Sequence, residues 1–258
     1  MLAASAQSGY HSEHQLSWQS LYDSAWQHPG VAFICGGLLT FCVLLFRARR
    51  RSGSAPAQPG GRLWALLFLL LQIEILLDAA LTGALSPLAS GSGAATFAAT
   101  LFVILGDLRY FYLFERQLVR AHRPGPGPGP WDRTWAALRV ALPISLLLPA
   151  ATGVAARLFP EHVSGNRLFL GYEIGFLLLA SAHAWLRRSG HGLTMECTSY
   201  VRRLYLFELV QYALWVISDA LIITGHDLGW GLRMLPNLLY YAAFVPVAVF
   251  TAPPQAQP

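Results

Sequence analysis

The sequence predicts an all-α integral membrane protein of seven transmembrane helices, with the N-terminus outside and the C-terminus in the cytoplasm. Three observations carry that expectation. The 258 residues are 55% hydrophobic and only 12% charged, about half the roughly 25% charged share of a soluble domain. The apolar residues gather in runs near the ~20 residues that a helix needs to cross ~30 Å of hydrocarbon. Arginine is distributed very unevenly between alternate connections.

The spans fall at 30–46, 63–85, 95–115, 135–158, 168–186, 204–225 and 232–250. Residues 1–28 contain no Lys or Arg and no apolar core, so they do not read as a signal peptide and the first span serves as the targeting signal. Within residues 16–26, Trp18, Leu21, Tyr22 and Trp26 recur at helical spacing. That pattern predicts a short amphipathic helix in the outer interface, with its rings at headgroup level. The chain then divides into an extracytoplasmic segment (1–28), a seven-helix bundle (29–252) and a short cytoplasmic tail (253–258). The connections at 52–61 and 124–130 are rich in Gly and Pro and read as exposed linkers, because Pro lacks the helix donor and Gly is entropically costly.

Orientation follows from the arginines. The first, third and fifth connections hold Arg47, Arg49, Arg50, Arg51, Arg62, Arg116, Arg120, Arg123, Arg133, Arg187, Arg188, Arg202 and Arg203. The second, fourth and sixth hold Arg157, Arg167 and Arg233, while Arg109 and Arg139 lie inside spans. The odd connections are therefore placed in the cytoplasm. All 18 basic residues are Arg. The absence of Lys excludes Schiff-base chemistry and hence a retinal-binding opsin of the usual kind. An Arg-only, Ala-, Gly- and Pro-rich composition points to a GC-rich genome and a bacterial inner membrane. The basic balance is assigned to membrane orientation, not to nucleic acid. Cys35, Cys42 and Cys197 give neither a metal spacing nor a disulfide framework.

Seven carboxylates fall within the spans: Glu74, Asp78, Asp107, Glu115, Glu173, Glu208 and Asp219. Each would cost roughly 2.5–3.5 kcal/mol or more at mid-bilayer if it faced lipid. They are therefore expected to face the bundle interior. Helical spacing groups Glu74, Asp78 and Thr82 on span two, Thr100, Asp107 and Tyr110 on span three, and Glu173 and His183 on span five. Span six adds Glu208, Gln211, Tyr212, Trp215 and Asp219; span seven adds Asn237, Tyr240, Tyr241 and Phe244. At 1.5 Å per residue, Asp78, Glu173, Asp219 and Asn237 lie roughly 9–12 Å below the outer boundary, a layer of three acids with no base. Glu74, Asp107 and Arg109 lie near the midplane, and Arg109 is expected to pair with Glu74. Glu115, Glu208, Arg139 and His183 lie near the inner boundary. The acid-rich outer layer must hold a proton, a cation or water.

The candidate ion- or solute-binding residues are therefore Asp78, Glu173, Asp219, Asn237 and Tyr240, with Glu74, Asp107, Arg109 and Glu208 as an interior charge network. Asp219 leads, with Trp215 as an apolar wall and Ser218 as a donor. No cofactor or metal is expected: of the eight histidines only His183 falls within a span, and His11 and His14 belong to the outer tail. His226-Asp227, at the outer end of span six, reads as a helix cap. Spans one and four carry no acids and read as peripheral, facing the bilayer, a second copy or a partner subunit, with Gly36 and Gly37 allowing close approach.

Asp107-Leu108-Arg109-Tyr110 and Pro236-Asn237-Leu238-Leu239-Tyr240 invite comparison with animal heptahelical receptors. The first set lies at mid-membrane with an extra residue, and the second reverses Pro and Asn, so that comparison is set aside. Gly106-Asp107, Ser218-Asp219-Ala220-Leu221-Ile222 and Tyr240-Tyr241 resemble the lysoplasmalogenase-like membrane hydrolases, which carry a Gly-Asp in an early span, a Ser-Asp in a late one and a tyrosine-bearing last span. That resemblance implies a membrane-embedded lipid-modifying enzyme. The family has eight spans and a histidine soon after its Gly-Asp helix, whereas His122 here follows in a loop. The leading functional expectation is a conduit or carrier for a proton, small cation or small polar solute. The alternative is a membrane sensor or accessory subunit working through a partner protein.

Overall fold

The computed structural model describes residues 17–24, 26–51, 61–122, 129–162, 165–188 and 195–252. These residues form helices, with no strand among them. A short α1 (Trp18–Tyr22) is followed by a helix that begins π-helical over Trp26–Gly36 and continues as α2 (Gly37–Arg51). Then come α3 (Gly61–Thr82), α4 (Gly93–His122), α5 (Pro130–Leu158), α6 (Asn166–Arg188) and α7 (Met195–Ile223). The last helix has three parts: α8 (Leu228–Leu238), a π-helical turn Leu239–Ala243, and α9 (Phe244–Thr251).

Six of these helices are long and apolar enough to cross a membrane, a multi-pass pattern, while the first apolar stretch, Gly30–Leu45, is shorter. Their apolar residues divide by face. Leu66, Leu69, Leu70, Ile73 and Leu77 of α3 are exposed, whereas Phe68, Gln72, Ile75 and Asp78 turn inward. This inside-out arrangement is expected of a bundle whose solvent is hydrocarbon.

α4 is the central helix, with Tyr110, Phe111, Leu113 and Gln117 fully buried. α5 packs along it despite Pro143 and Pro149 in its interior. Ser145 and Thr152 satisfy their own hydroxyls on the Ala141 and Leu148 carbonyls at 2.9 and 2.8 Å, the back-bonding usual for these residues inside a helix. In the last helix, Pro246 cannot donate to the carbonyl four residues back, and its ring crowds that carbonyl. The helix widens into a π turn just upstream. The wider turn lets consecutive Tyr240 and Tyr241 line the same cavity.

Three expectations need correction. Residues 16–26 are not one interfacial helix. α1 stops at Tyr22, Trp26 belongs to the next helix, and α1 docks on α8. Gly36 does not await a neighbouring subunit: a Cβ there would lie 2.3 Å from the Tyr241 carbonyl oxygen, so it lets the first apolar helix pack on the last one of the same chain. The last helix begins at Leu228, not at 232, so Arg233, counted above with the sixth connection, lies well inside it. Among the other expectations, His11, His14, residues 52–60, 123–128 and 253–258 lie outside the described residues.

Candidate functional site

Between α3, α4, α6, α7 and α8, at the end of the bundle that carries α1, lies a cavity of about 320 Å³. Its walls are aromatic: Phe102, Phe169, Tyr172, Tyr212, Trp215, Tyr240 and Tyr241. Gly106 leaves room for the Tyr240 phenol, since a Cβ at 106 would stand 2.9 Å from its Oη. The polar groups facing the cavity include Asp78, Thr82, Glu173, Arg233, Asn237 and Tyr22.

The helices aim these groups by their periodicity. Asp78 and Thr82 are one turn apart on α3, and Thr82 Oγ1 donates to Asp78 Oδ1 at 2.8 Å. Tyr240 and Tyr241 also face the Asp78 carboxylate. Arg233, Asn237 and Tyr240 recur at four and three residues and share a face of the last helix. Trp215 Nε1 donates to Asn237 Oδ1 at 2.9 Å, locking α7 to α8.

The expected base-free acid layer is not base-free. Arg233 forms an ion pair with Asp219, and its Nη1 lies 3.7 Å from Glu173 Oε1. Asp219 is fully buried behind the cavity wall and is a partner of Arg233, not the leading cavity residue. Ser218 does not serve it; its hydroxyl donates to the Leu214 carbonyl at 2.5 Å. Of the five candidate binding residues, Asp78, Glu173, Asn237 and Tyr240 line the cavity and Asp219 does not. Two carboxylates therefore flank the Arg233 guanidinium, Asp78 adds a third acid on the cavity wall, and Glu173 Oε2 is buried with no hydrogen-bond partner.

α1 covers one side of this site. His226-Asp227 was expected to cap the outer end of span six; Asp227 stands at the start of α8, where its carboxylate makes no side-chain cap. It accepts instead from the Trp18 and Gln19 backbone N–H groups at 2.8 and 3.2 Å, capping α1. Tyr22 then reaches the cavity. Its hydroxyl accepts from Arg233 Nε at 3.1 Å and from Asn237 Nδ2 at 3.3 Å, and its ring rests 5.1 Å from that of Trp230.

Deeper in the bundle, Asp107 accepts from the Tyr172 phenol and, at 3.0 Å, from Tyr212. Arg109 Nη1 lies 3.3 Å from Glu74 Oε2, and its guanidinium sits 3.9 and 4.3 Å from the ring centres of Tyr240 and Phe244. Glu208 is buried beside Arg109 and Asp107, closer to the middle than its depth estimate placed it. Below this layer the Tyr110 ring makes edge-to-face contacts with Phe111 and Phe114, these two do so with His183, and Phe176 packs at a tilt against Tyr110 and Phe111. Glu115 lies 2.7 Å from His183 Nε2 and accepts from Arg187 Nε at 2.8 Å near the opposite end. Arg139 is exposed and belongs to none of these clusters.

No family model, curated protein or solved structure matches the chain. Among the described residues, no group of three or more His, Cys, Asp or Glu side chains is placed to hold a metal ion. The residues of the Gly-Asp, Ser-Asp and Tyr-Tyr segments are partly gathered: Gly106, Tyr240 and Tyr241 line the cavity, while Asp107 and Asp219 lie behind it. Sequence reasoning missed Arg233, Tyr22 and Tyr172. Arg233 was legible, because it stands four residues before Asn237 and seven before Tyr240. Tyr22 was not, because nothing local ties it to residues more than 200 positions away.

Proposed function

We propose that the chain is a seven-span cell-membrane carrier, N-terminus outside, that takes a small cation or small polar solute into the cavity at the α1 end. The carrying observation is the cavity's make-up: aromatic walls, two lining carboxylates (Asp78 and Glu173) beside one arginine that is already paired with a third acid, Asp219, and a buried Glu173 oxygen that lacks a donor. Aromatic faces and excess carboxylate are the combination that recognises an organic ammonium group. A buried unpaired acceptor calls for a donor from a ligand or water. The arginine-rich connections favour the cytoplasm for the other end. The seventh span in this reading is the helix containing Gly30–Leu45, the shorter apolar stretch.

The test is purified protein in liposomes, with uptake of a panel of primary to quaternary amines and of protons followed by dye fluorescence. Saturable uptake that Asp78→Asn abolishes while the variant keeps its elution profile and helicity supports the carrier. Absence of uptake for every probe refutes it. A second reading, a sensor, is favoured by one feature: Arg109 and a layer of packed aromatic rings lie between the cavity and the opposite end. A sensor would be stabilised by its ligand against heat, with Asp78→Asn removing that stabilisation, and would show no flux.

A further inference from the structure

A second concavity lies on the bundle's flank, between α3, α4 and α5, and it shares no residue with the cavity above. It measures about 350 Å³ and is almost wholly apolar, with Leu66, Leu70, Leu105 and Leu138 among its walls. Leu66 and Leu70 are 48% and 53% exposed, so the groove opens toward the hydrocarbon. At one end it meets Arg116 and Thr134.

Arg116 is only 8% exposed, yet no carboxylate pairs with it among the described side chains. Its contacts are neutral: the Tyr112 phenol, Thr134 Oγ1 at 3.5 Å, and the Trp64 ring at 4.4 Å. The acids nearest to it on α4 and α5 are engaged elsewhere. Glu115 is bound by Arg187 and His183, and Asp132 accepts from the Gly129 N–H at 2.9 Å. The connections at this end, residues 52–60, 123–128 and 189–194, contain no Asp or Glu. A buried guanidinium with five donors and no counter-ion among the described side chains calls for an anion.

Height identifies the anion's source. The apolar part of α4 ends at Val119, so Arg116 lies about 4–5 Å inside that end, at the level of lipid phosphates. Trp131, 64% exposed at the mouth of the groove, is the residue type that marks the membrane–water interface.

We infer that this groove binds an anionic phospholipid, its phosphate on Arg116 and one acyl chain along the leucine wall. A zwitterionic lipid would bring an ammonium group to an end of the bundle rich in arginine, so an anionic headgroup is preferred.

The test uses the full chain, stripped of lipid in detergent and offered equimolar phosphatidylglycerol and phosphatidylcholine, with retained lipid read by native mass spectrometry. The expected result is about tenfold enrichment of phosphatidylglycerol, the scale of a charge-assisted hydrogen bond. Arg116→Lys should keep the preference and Arg116→Gln should bring it close to one. Equal retention of both lipids, or an unchanged preference in Arg116→Gln, overturns the inference. Leu70→Trp fills the groove without touching Arg116 and should release both lipids. If Arg116→Gln cannot be purified, unchanged retention in Leu70→Trp overturns the inference instead. Inorganic phosphate is the last probe. If it displaces phosphatidylglycerol at equal concentration, the site takes a free anion and the lipid assignment falls.

Discussion

Replacing Arg109 with Leu should destabilise the fold more than any other single charge removal in the bundle's middle layer. Its side chain is 1% exposed, and it faces Glu74 at 3.3 Å with the Tyr240 and Phe244 rings on its flanks. With an effective dielectric of about 20, unit charges at that separation attract by roughly 5 kcal/mol, and each ring adds on the order of 1–2 kcal/mol. Most of that gain offsets the desolvation of both ions. The observable is the penalty for stranding the partner: Arg109→Leu leaves Glu74 buried with no base and Glu208 nearby, at about 3–5 kcal/mol. For a chain of this size that corresponds to a fall of roughly 6–20 °C in melting temperature. The assay is tryptophan-fluorescence melting in a fixed detergent, run as a double-mutant cycle with Glu74→Leu. The double variant should regain more than half of the loss, because no stranded charge remains at that contact. An unchanged melting temperature in Arg109→Leu, or a double variant as unstable as the sum of the singles, would refute the reasoning.

Asp227→Ala should release α1 from α8 at a cost of roughly 1–2 kcal/mol, seen as faster amide exchange over residues 17–24 with the bundle otherwise protected. Unaltered exchange there would mean that the Tyr22 contacts alone hold the segment. A reporter active only in the cytoplasm should work when inserted within residues 124–130 and be silent within 87–94; activity at 87–94 would reverse the proposed orientation.

The helical class and most helix positions were legible in the sequence, because an apolar run of ~20 residues suits a bilayer-crossing helix and little else. The inward direction of the acids was legible too, since a charge facing lipid is too costly to be common. What periodicity could not supply was the third dimension. Counting from 204 put Glu208 near a membrane boundary, yet the apolar helix begins at Cys197, which moves Glu208 toward its middle and beside Arg109. Arg233 was counted with the sixth connection because it stands at the very edge of the apolar run beginning at 232. In fact α8 starts just after Gly225, which turns the chain at φ 84°, and the arginine is drawn inward by two carboxylates. Gly36 showed that some close approach occurs but not with which partner, since a small residue looks the same whether it meets its own chain or another.

The contact between Gly36 and Tyr241, and the Asp227 clamp on Trp18 across 209 residues, have a consequence for biosynthesis. A chain that enters the membrane from its N-terminus makes both of these early elements long before their partners exist. Until Leu228–Thr251 arrives, the first apolar helix has an open seam and the α1 segment has nowhere to dock. The ring of helices closes from its two ends, and the step that seals it also completes the cavity, because Arg233, Asn237 and the tyrosine pair all come with the final helix. Insertion and site formation are thus separate events. A nascent bundle can be correctly threaded through the bilayer and still lack this cavity until Leu228–Thr251 folds into place.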